Sequence, residues 1–306
     1  MEILFTGASS FTGYWFVKAL TEAGHRVVAP LRGHTRDYTN GARAVRVQAL
    51  TDITEIIDDC PFGSPQFLDL CTRKFDMLCH HAARLTDYRS PYFDIAQAVA
   101  ENTMNLRQAL SMLGPLKAVI LSGSVFEANE AAGNPPLVPF SPYGVSKGLT
   151  SQIVDFYCAE AGVPFYKFVI PNPFGPLEEP RFCNYLISQW KNGAPATVQT
   201  PAYLRDNIHV DLLARAYAHY ADAITHDRAP AKLYPSGYVE PQGIFAARVA
   251  REIRARSTLA CRLEMADQQD FAEPLMRFNT DPATRYAPHW NEAAAWDAMI
   301  ESYQLA

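Results

Sequence analysis

Thr6-Gly7-Ala8-Ser9-Ser10-Phe11-Thr12-Gly13 follows the apolar run Ile3-Leu4-Phe5 and opens a helical stretch, Thr12–Glu22. A strand, a glycine turn and a helix in that order form a place where the pyrophosphate of a dinucleotide rests against helix N-terminal amides. Gly7 permits the tight turn, and Gly13 lets helix and strand pack closely. Ser9, Ser10 and Phe11 line the loop between them, with Ser10 where the fingerprint usually has its middle glycine. Its small side chain still lets the backbone approach a phosphate, and its hydroxyl can donate to one. A two-glycine loop is a weak signal alone; its place directly after the first strand gives it weight.

Outward from this loop, short β-branched runs alternate with helical stretches. Strands are expected at Ile3–Phe5, Arg26–Ala29, Ala44–Val47, Phe75–His80, Val119–Leu121 and Phe165–Ile170, and helices at Thr12–Glu22, Pro91–Leu113 and Tyr143–Ala161. Strict alternation implies parallel strands joined by crossover helices, hence an α/β Rossmann fold with a doubly wound sheet. Pro171, Pro173, Pro176 and Pro180 then interrupt regular structure and mark a domain edge. Helices follow at Asp211–Ala223, Ile244–Arg254 and Glu292–Ser302. The expected division is a dinucleotide-binding domain over 1–170, rejoined by 205–235, with a smaller C-terminal substrate-binding lobe from 171–204 and 236–306.

A net charge of -5 argues against nucleic acid as a partner, since phosphate binding leaves a basic footprint. No apolar run approaches the roughly 20 residues that span a bilayer, so no membrane partner is expected. The N-terminus lacks a basic lead and a small-residue cleavage site, which points to the cytoplasm. Cys60, Cys71, Cys79, Cys158, Cys183 and Cys261 contain no CxxC pair and read as reduced, mostly buried thiols. Cys79-His80-His81 closes a strand, where successive side chains point to opposite faces, so no metal site is expected there.

The end of the second strand should carry the reader of the 2'-position, an acid for NAD or a cation for NADP. Arg32 and Arg36 stand there, with no carboxylate before Asp37. A guanidinium suits a 2'-phosphate, so NADP is expected ahead of NAD; the other reading makes both arginines solvated loop charges. Tyr143 and Lys147 lie one turn apart at the start of a helix. A free phenol is a poor base at neutral pH, and a neighbouring ammonium with a positive nicotinamide ring would favour phenolate. Lys147 can also hold the nicotinamide ribose. Ser122 leaves the fifth strand at its C-terminal end, where open parallel sheets place ligands, and can hydrogen-bond the reacting oxygen. The other reading of Ser122 and Ser124 is that they close a turn.

These features run in order along the chain with Phe75–Ala83, which contains His80-x-Ala82-Ala83, then Asn102, Asn172 with Phe174-Gly175-Pro176, and Arg205-Asp206-Asn207-Ile208-His209-Val210-Asp211. The set resembles the extended short-chain dehydrogenase/reductase superfamily, in its NAD(P)-dependent epimerase/dehydratase branch acting on nucleotide sugars. The resemblance implies hydride transfer assisted by Ser122, Tyr143 and Lys147. It places Leu50 and Ala82 among the cofactor contacts, and Arg84, Thr86, Ser124, Asn172 and Arg205 among the substrate contacts, with Arg205 clamping a diphosphate. It also implies a homodimer packed through two helices per subunit.

Several positions depart from the branch. Gly123 and Ser124 replace the acidic pair of its 4,6-dehydratases, so loss of water is not expected; Glu127, Glu178 and Glu179 are the nearest acids, the last two expected in solvent. Leu177 replaces a histidine used to epimerise neighbouring carbons. The adenine-contacting aspartate after the third strand falls on Ala49, and Val169 or Ile170 replaces an arginine before Asn172. The expected function is a 4-ketoreductase or 4-epimerase of a nucleotide-linked hexose. The alternatives are an NADPH-dependent reductase of a non-sugar carbonyl and a non-catalytic NADP-binding protein. Tyr88, Tyr185 and Tyr203 are candidates to stack on a base or hexose.

Overall fold

Parallel strands are buried on both faces and read as continuous apolar runs. The computed structural model describes residues 1–268 and 270–305, and in it β4 (Met77–His80) and β5 (Ala118–Ser124) are buried at every position. They form the centre of a sheet with β1 (Glu2–Thr6), β2 (Arg26–Pro30), β3 (Glu55–Ile57) and the strands Phe165–Ile170 and Lys232–Leu233. Across the sheet the order is Lys232–Leu233, Phe165–Ile170, β5, β4, β1, β2, β3. Every pairing is parallel. The order reverses between β1 and β4, the switch point outside whose strand ends an open α/β sheet holds its ligand.

Two expected elements differ. Ala44–Val47 is not a strand but part of a helix, α2 (Gly41–Ile53). Strand alternation would bury Val45 with Val47, whereas Val45 is 53% exposed and Arg46, Val47 and Leu50 share the buried face. The third strand is Glu55–Ile57, directly after it. The helix expected over Pro91–Leu113 begins after the Asp94 cap and breaks into Ile95–Thr103 and Leu106–Leu113. Asn105, at φ 51°, makes the break. Its amide donates to the Gly63 carbonyl at 2.8 Å, a bond that favours the left-handed turn over a continuous helix.

Beyond Pro171 the strand Leu204–His209 pairs with Asn172–Phe174, Tyr238–Pro241 and Met276–Phe278. The helix Val210–Thr225 returns to the main sheet beside α1 (Phe11–Glu22), where Tyr217 stacks on Phe16 with centroids 4.2 Å apart. Ala283 and Ala287 join the same apolar cluster. Another cluster belongs to the C-terminal half, built from Phe174, Leu186, Trp190, Phe245, Val249 and Trp296. All six cysteines are buried and unpaired. Among the described residues no helix is long and apolar enough to cross a membrane.

Lys167, in the middle of the Phe165–Ile170 strand, brings a charge into this core. Its ammonium donates to Glu127 Oε2 at 2.5 Å and Glu130 Oε1 at 2.8 Å, with all three side chains buried. Lys232 and the Tyr234 hydroxyl each reach Glu130 at 2.8 Å. Removing one member of such a set leaves uncompensated buried charge, which costs about 3–5 kcal/mol. Lys167→Met is therefore expected to lose about that much in urea unfolding, with recovery when Glu127→Gln and Glu130→Gln are added. A single variant within about 1 kcal/mol of wild type would remove Lys167 from this role.

Candidate active site

The Thr6 hydroxyl at the end of β1 accepts from the His81 and Ala82 amides, each at 3.1 Å. That brings the end of β4 against the glycine loop. Gly7 sits at φ 79°, and a Cβ there would lie 2.7 Å from the Ala82 nitrogen. A Cβ on Gly13 would lie 2.2 Å from the Gly7 carbonyl oxygen. Ser10 caps α1: its hydroxyl accepts from the Gly13 amide at 3.1 Å and donates to the Gly7 carbonyl at 2.9 Å. Its proton thus holds the turn, which corrects the expectation of a hydroxyl donating to phosphate. The first-turn amides of α1, those of Phe11 and Thr12, have no partner within the helix and suit an anion. Ser9 is buried, and its carbonyl accepts from Arg46 Nε at 3.2 Å. The same buried guanidinium donates to the Leu177 carbonyl at 2.5 Å and pairs with Glu179.

Arg32 and Arg36 lie just past β2, with the Arg32 side chain 69% exposed and 3.7 Å from Glu101. Arg84 pairs with Glu101 at 2.5 Å. Arg84 and Arg32 thus share one carboxylate. The true third strand is followed by Asp58, not Ala49. Asp58 accepts from the Thr35 amide at 2.9 Å and the Thr35 hydroxyl at 3.1 Å, so an acid does stand after that strand. Leu50 lies fully buried on the inner face of α2, before the third strand rather than in the loop after it.

Ser141 caps the helix Pro142–Ala161, its hydroxyl accepting from the Gly144 amide at 3.1 Å. This sets Tyr143 and Lys147 on its first two turns. Lys147 is buried and donates to the Ser122 carbonyl at 2.5 Å, and burial brings its ammonium down to about 8. The Tyr143 ring is enclosed by Tyr88, Phe126 and Phe93, with centroids 5.5, 6.1 and 6.2 Å away. Burial, with the Glu127 carboxylate adding to it, pushes this phenol above its ordinary value. The ammonium expected to pull it down is turned to Ser122 instead.

The Ser122 hydroxyl lies 2.7 Å from His81 Nδ1, and His81 Nε2 lies 3.0 Å from Thr12 Oγ1 and 3.1 Å from Ser10 Oγ. His80 points elsewhere, toward Thr6 Oγ1 at 3.0 Å and the Asn102 carbonyl at 2.9 Å. Cys79, His80 and His81 do not converge, and among the described residues no group of His, Cys, Asp or Glu could hold a metal ion. His81, Thr12, Arg46 and Asp58 were missed in the sequence. The doubled histidine was visible, but nothing local says which one turns toward Ser122.

The substrate assignments fare unevenly. Ser124 is buried; its hydroxyl accepts from the Phe126 amide at 3.2 Å, which makes it a turn-closing residue. Thr86 is exposed in the loop after β4. Asn172 donates to the Asp206 carbonyl at 3.2 Å. The Arg205 fork is already engaged, by Glu273 at 2.8 Å and the Leu204 and Pro274 carbonyls at 3.0 Å, over the Tyr203 ring. Tyr185 bonds the Thr197 carbonyl. Of the two acids expected in solvent, Glu178 is instead buried and raised by that burial to about 7, while Glu179 keeps a side chain 42% exposed and pairs with Arg46.

Residues 3–232 fit the model of the NAD dependent epimerase/dehydratase family. The chain belongs to that family. No curated protein matches it by sequence. Among solved structures it is similar to a UDP-glucuronic acid 4-epimerase from Bacillus cereus, crystallised with UDP-glucuronic acid and NAD, at 20% identity over 99% of both chains and a TM-score of 0.74. It is also similar to a UDP-glucose 4-epimerase from Thermotoga maritima with UDP-glucose, at 16% identity over 99% of both chains and a TM-score of 0.73. A dTDP-glucose 4,6-dehydratase from Streptomyces venezuelae with NAD matches at 17% identity, over 99% of this chain and 97% of that one, with a TM-score of 0.73. At such identities these structures establish the shared fold.

Gly13→Ala tests the loop. Its Cβ meets backbone, and overpacking of this kind costs about 1–3 kcal/mol. NADPH affinity, read by nucleotide fluorescence, should fall about tenfold or more, with a lower melting temperature. Wild-type affinity in a folded variant would show that the loop does not hold the cofactor.

Proposed function

We propose that this protein is an NAD(P)-dependent oxidoreductase of a nucleotide-linked hexose, transferring hydride at one carbinol carbon, C4, as a 4-ketoreductase or 4-epimerase. The observation that carries the reading is Ser122 at the end of β5, facing the dinucleotide loop through His81, with Lys147 of the Tyr143 helix on its carbonyl. When bound, the nicotinamide supplies the hydride and a positive ring charge in its oxidised form. Tyr143 moves the proton at the reacting oxygen, Ser122 hydrogen-bonds that oxygen, and Lys147 fixes the Ser122 backbone and faces the ribose. Burial keeps the Tyr143 phenol protonated, so it carries the proton that a ketone oxygen takes up on reduction. Exposed Arg32 and Arg36 support NADPH as the hydride source.

Loss of water needs a base and an acid near C5 and C6. Gly123 and Ser124 supply neither, Glu127 is committed to the Ser124 amide and Lys167, and Glu179 to Arg46. A non-sugar carbonyl is the second reading, favoured by one observation: Glu273 already fills the Arg205 fork that would grip a diphosphate. The helix Pro142–Ala161 exposes Leu149 and Phe156 one heptad apart, which supports a homodimer packed through that helix.

The test is a panel of UDP-, GDP-, dTDP- and CDP-hexoses and their 4-keto forms, beside non-sugar ketones and aldehydes, with NADPH and NAD and mass-resolved products. A sugar product of unchanged mass or two hydrogens different supports the reading, and one lighter by water overturns it. Tyr143→Phe should lower kcat by about 10²–10⁴ with cofactor affinity unchanged; more than about a tenth of wild-type turnover would remove Tyr143 from the reaction. Arg32→Ala should weaken NADPH by about ten- to a hundredfold, the worth of a charged hydrogen bond, and NADH little. Equal losses for both would show that Arg32 does not read the 2'-phosphate.

A further inference from the structure

We propose that His81 is a positioning residue for Ser122, holding the serine hydroxyl in one orientation and joining it to the dinucleotide loop through Ser10 and Thr12. The inference rests on the hydride-transfer reading above and adds a residue to it.

A count of protons gives the direction of each bond. The Ser10 hydroxyl has one proton, which goes to the Gly7 carbonyl at 2.9 Å, so toward His81 it can only accept. His81 Nε2, 3.1 Å from that oxygen and 3.0 Å from Thr12 Oγ1, therefore carries a hydrogen shared between the two. A neutral imidazole has a single N–H, so Nδ1 is a bare acceptor. The contact of 2.7 Å between Nδ1 and Ser122 Oγ is then filled by the serine's own proton. Ser122 is held at both ends: its hydroxyl by His81, its carbonyl by Lys147 at 2.5 Å. Its remaining lone pairs are left to receive a substrate hydroxyl or the Tyr143 proton. With its proton given to the imidazole, the serine meets the reacting carbinol as an acceptor, and the imidazole fixes the orientation in which it receives the substrate hydroxyl.

The ring is suited to directing rather than to acid–base work. It lies between Phe5 and Phe16, at centroid distances of 5.7 and 5.2 Å. Burial first, and then the charge of Lys147, keep it neutral down to about 3. No proton is gained or lost by His81 in this role; it orients one.

The test is a double-mutant cycle on the substrate the panel identifies, with His81→Leu, Ser122→Ala and the pair. His81→Leu should lower kcat about three- to tenfold, the net worth of one hydrogen bond. In the Ser122→Ala background the same change should cost nothing more. Equal losses in both backgrounds would mean that His81 only packs, and would overturn the proposal. A readout independent of turnover uses protein labelled with ¹⁵N-histidine, the His81 signal being assigned by its loss in His81→Leu, or in His81→Gln should the leucine variant fail to fold. The ring should show a protonated Nε2 and a bare Nδ1 between about pH 5 and 9, with the Nδ1 resonance moving in Ser122→Ala. A protonated Nδ1, or one that Ser122→Ala leaves unmoved, overturns the assignment. Absence of turnover across the whole panel would count against the functional reading alone, since the nitrogen spectra decide the His81–Ser122 bond without it.

Discussion

The ends of β1 and β4 part at the switch point of the sheet, and the Thr6 hydroxyl spans the gap. By accepting from two successive amides, those of His81 and Ala82, it sets how β4 leaves the sheet. Gly7 has room for no side chain because the Ala82 nitrogen is drawn so close. Gly13 has none because the turn folds back upon the Gly7 carbonyl. The same two amide bonds aim His80 into the core and His81 toward β5. The first turn of α1, the glycine turn and the serine at the end of β5 all take their places from that crossing.

Around it the protein places charge where its core would ordinarily be apolar. Lys167 and Glu127 lie under the end of β5, with the carboxylate holding the Ser124 amide at 2.7 Å. The close approach of Lys167 to Gly123 leaves no space for a side chain there: a Cβ would sit 2.5 Å from Lys167 Cε. The absence of an acid at position 123 is thus a packing consequence of the buried lysine as much as a statement about chemistry. Isolated buried ions are costly, and here each is matched by an opposite charge and by hydrogen bonds.

Much of this was legible because the signals were local or collinear. The glycine turn after β1, the Tyr143–Lys147 spacing and Ser122 at a strand end are each readable from a few neighbours. The third strand was misread because Ala44–Val47 has strand-like composition, while its burial follows a helical period that only the packing against α1 sets. That error moved the expected acid to Ala49 and the cofactor contact to Leu50, when Asp58 stands after the real strand. Arg46 looked like one more surface charge. Its partners lie 37 and 131 residues away in sequence, at Ser9 and Leu177, and no spacing rule reaches that far. The same applies to Glu273 on Arg205, and to Glu178, whose burial needs the C-terminal Tyr303 hydroxyl at 2.9 Å.

Arg46 carries one more implication. A single buried guanidinium grips the backbone of the dinucleotide loop at Ser9 and that of the proline-rich segment at Leu177, which leads into the C-terminal half. Its planar fork is stiff, so displacement of either backbone strains its bond to the other. Two segments coupled in this way share a free energy, and thermodynamic reciprocity then governs whatever binds against them. Whatever factor a molecule seated beside Leu177 imposes on the affinity for dinucleotide, the dinucleotide imposes equally on that molecule. The order in which the two arrive leaves the stability of the ternary complex unchanged.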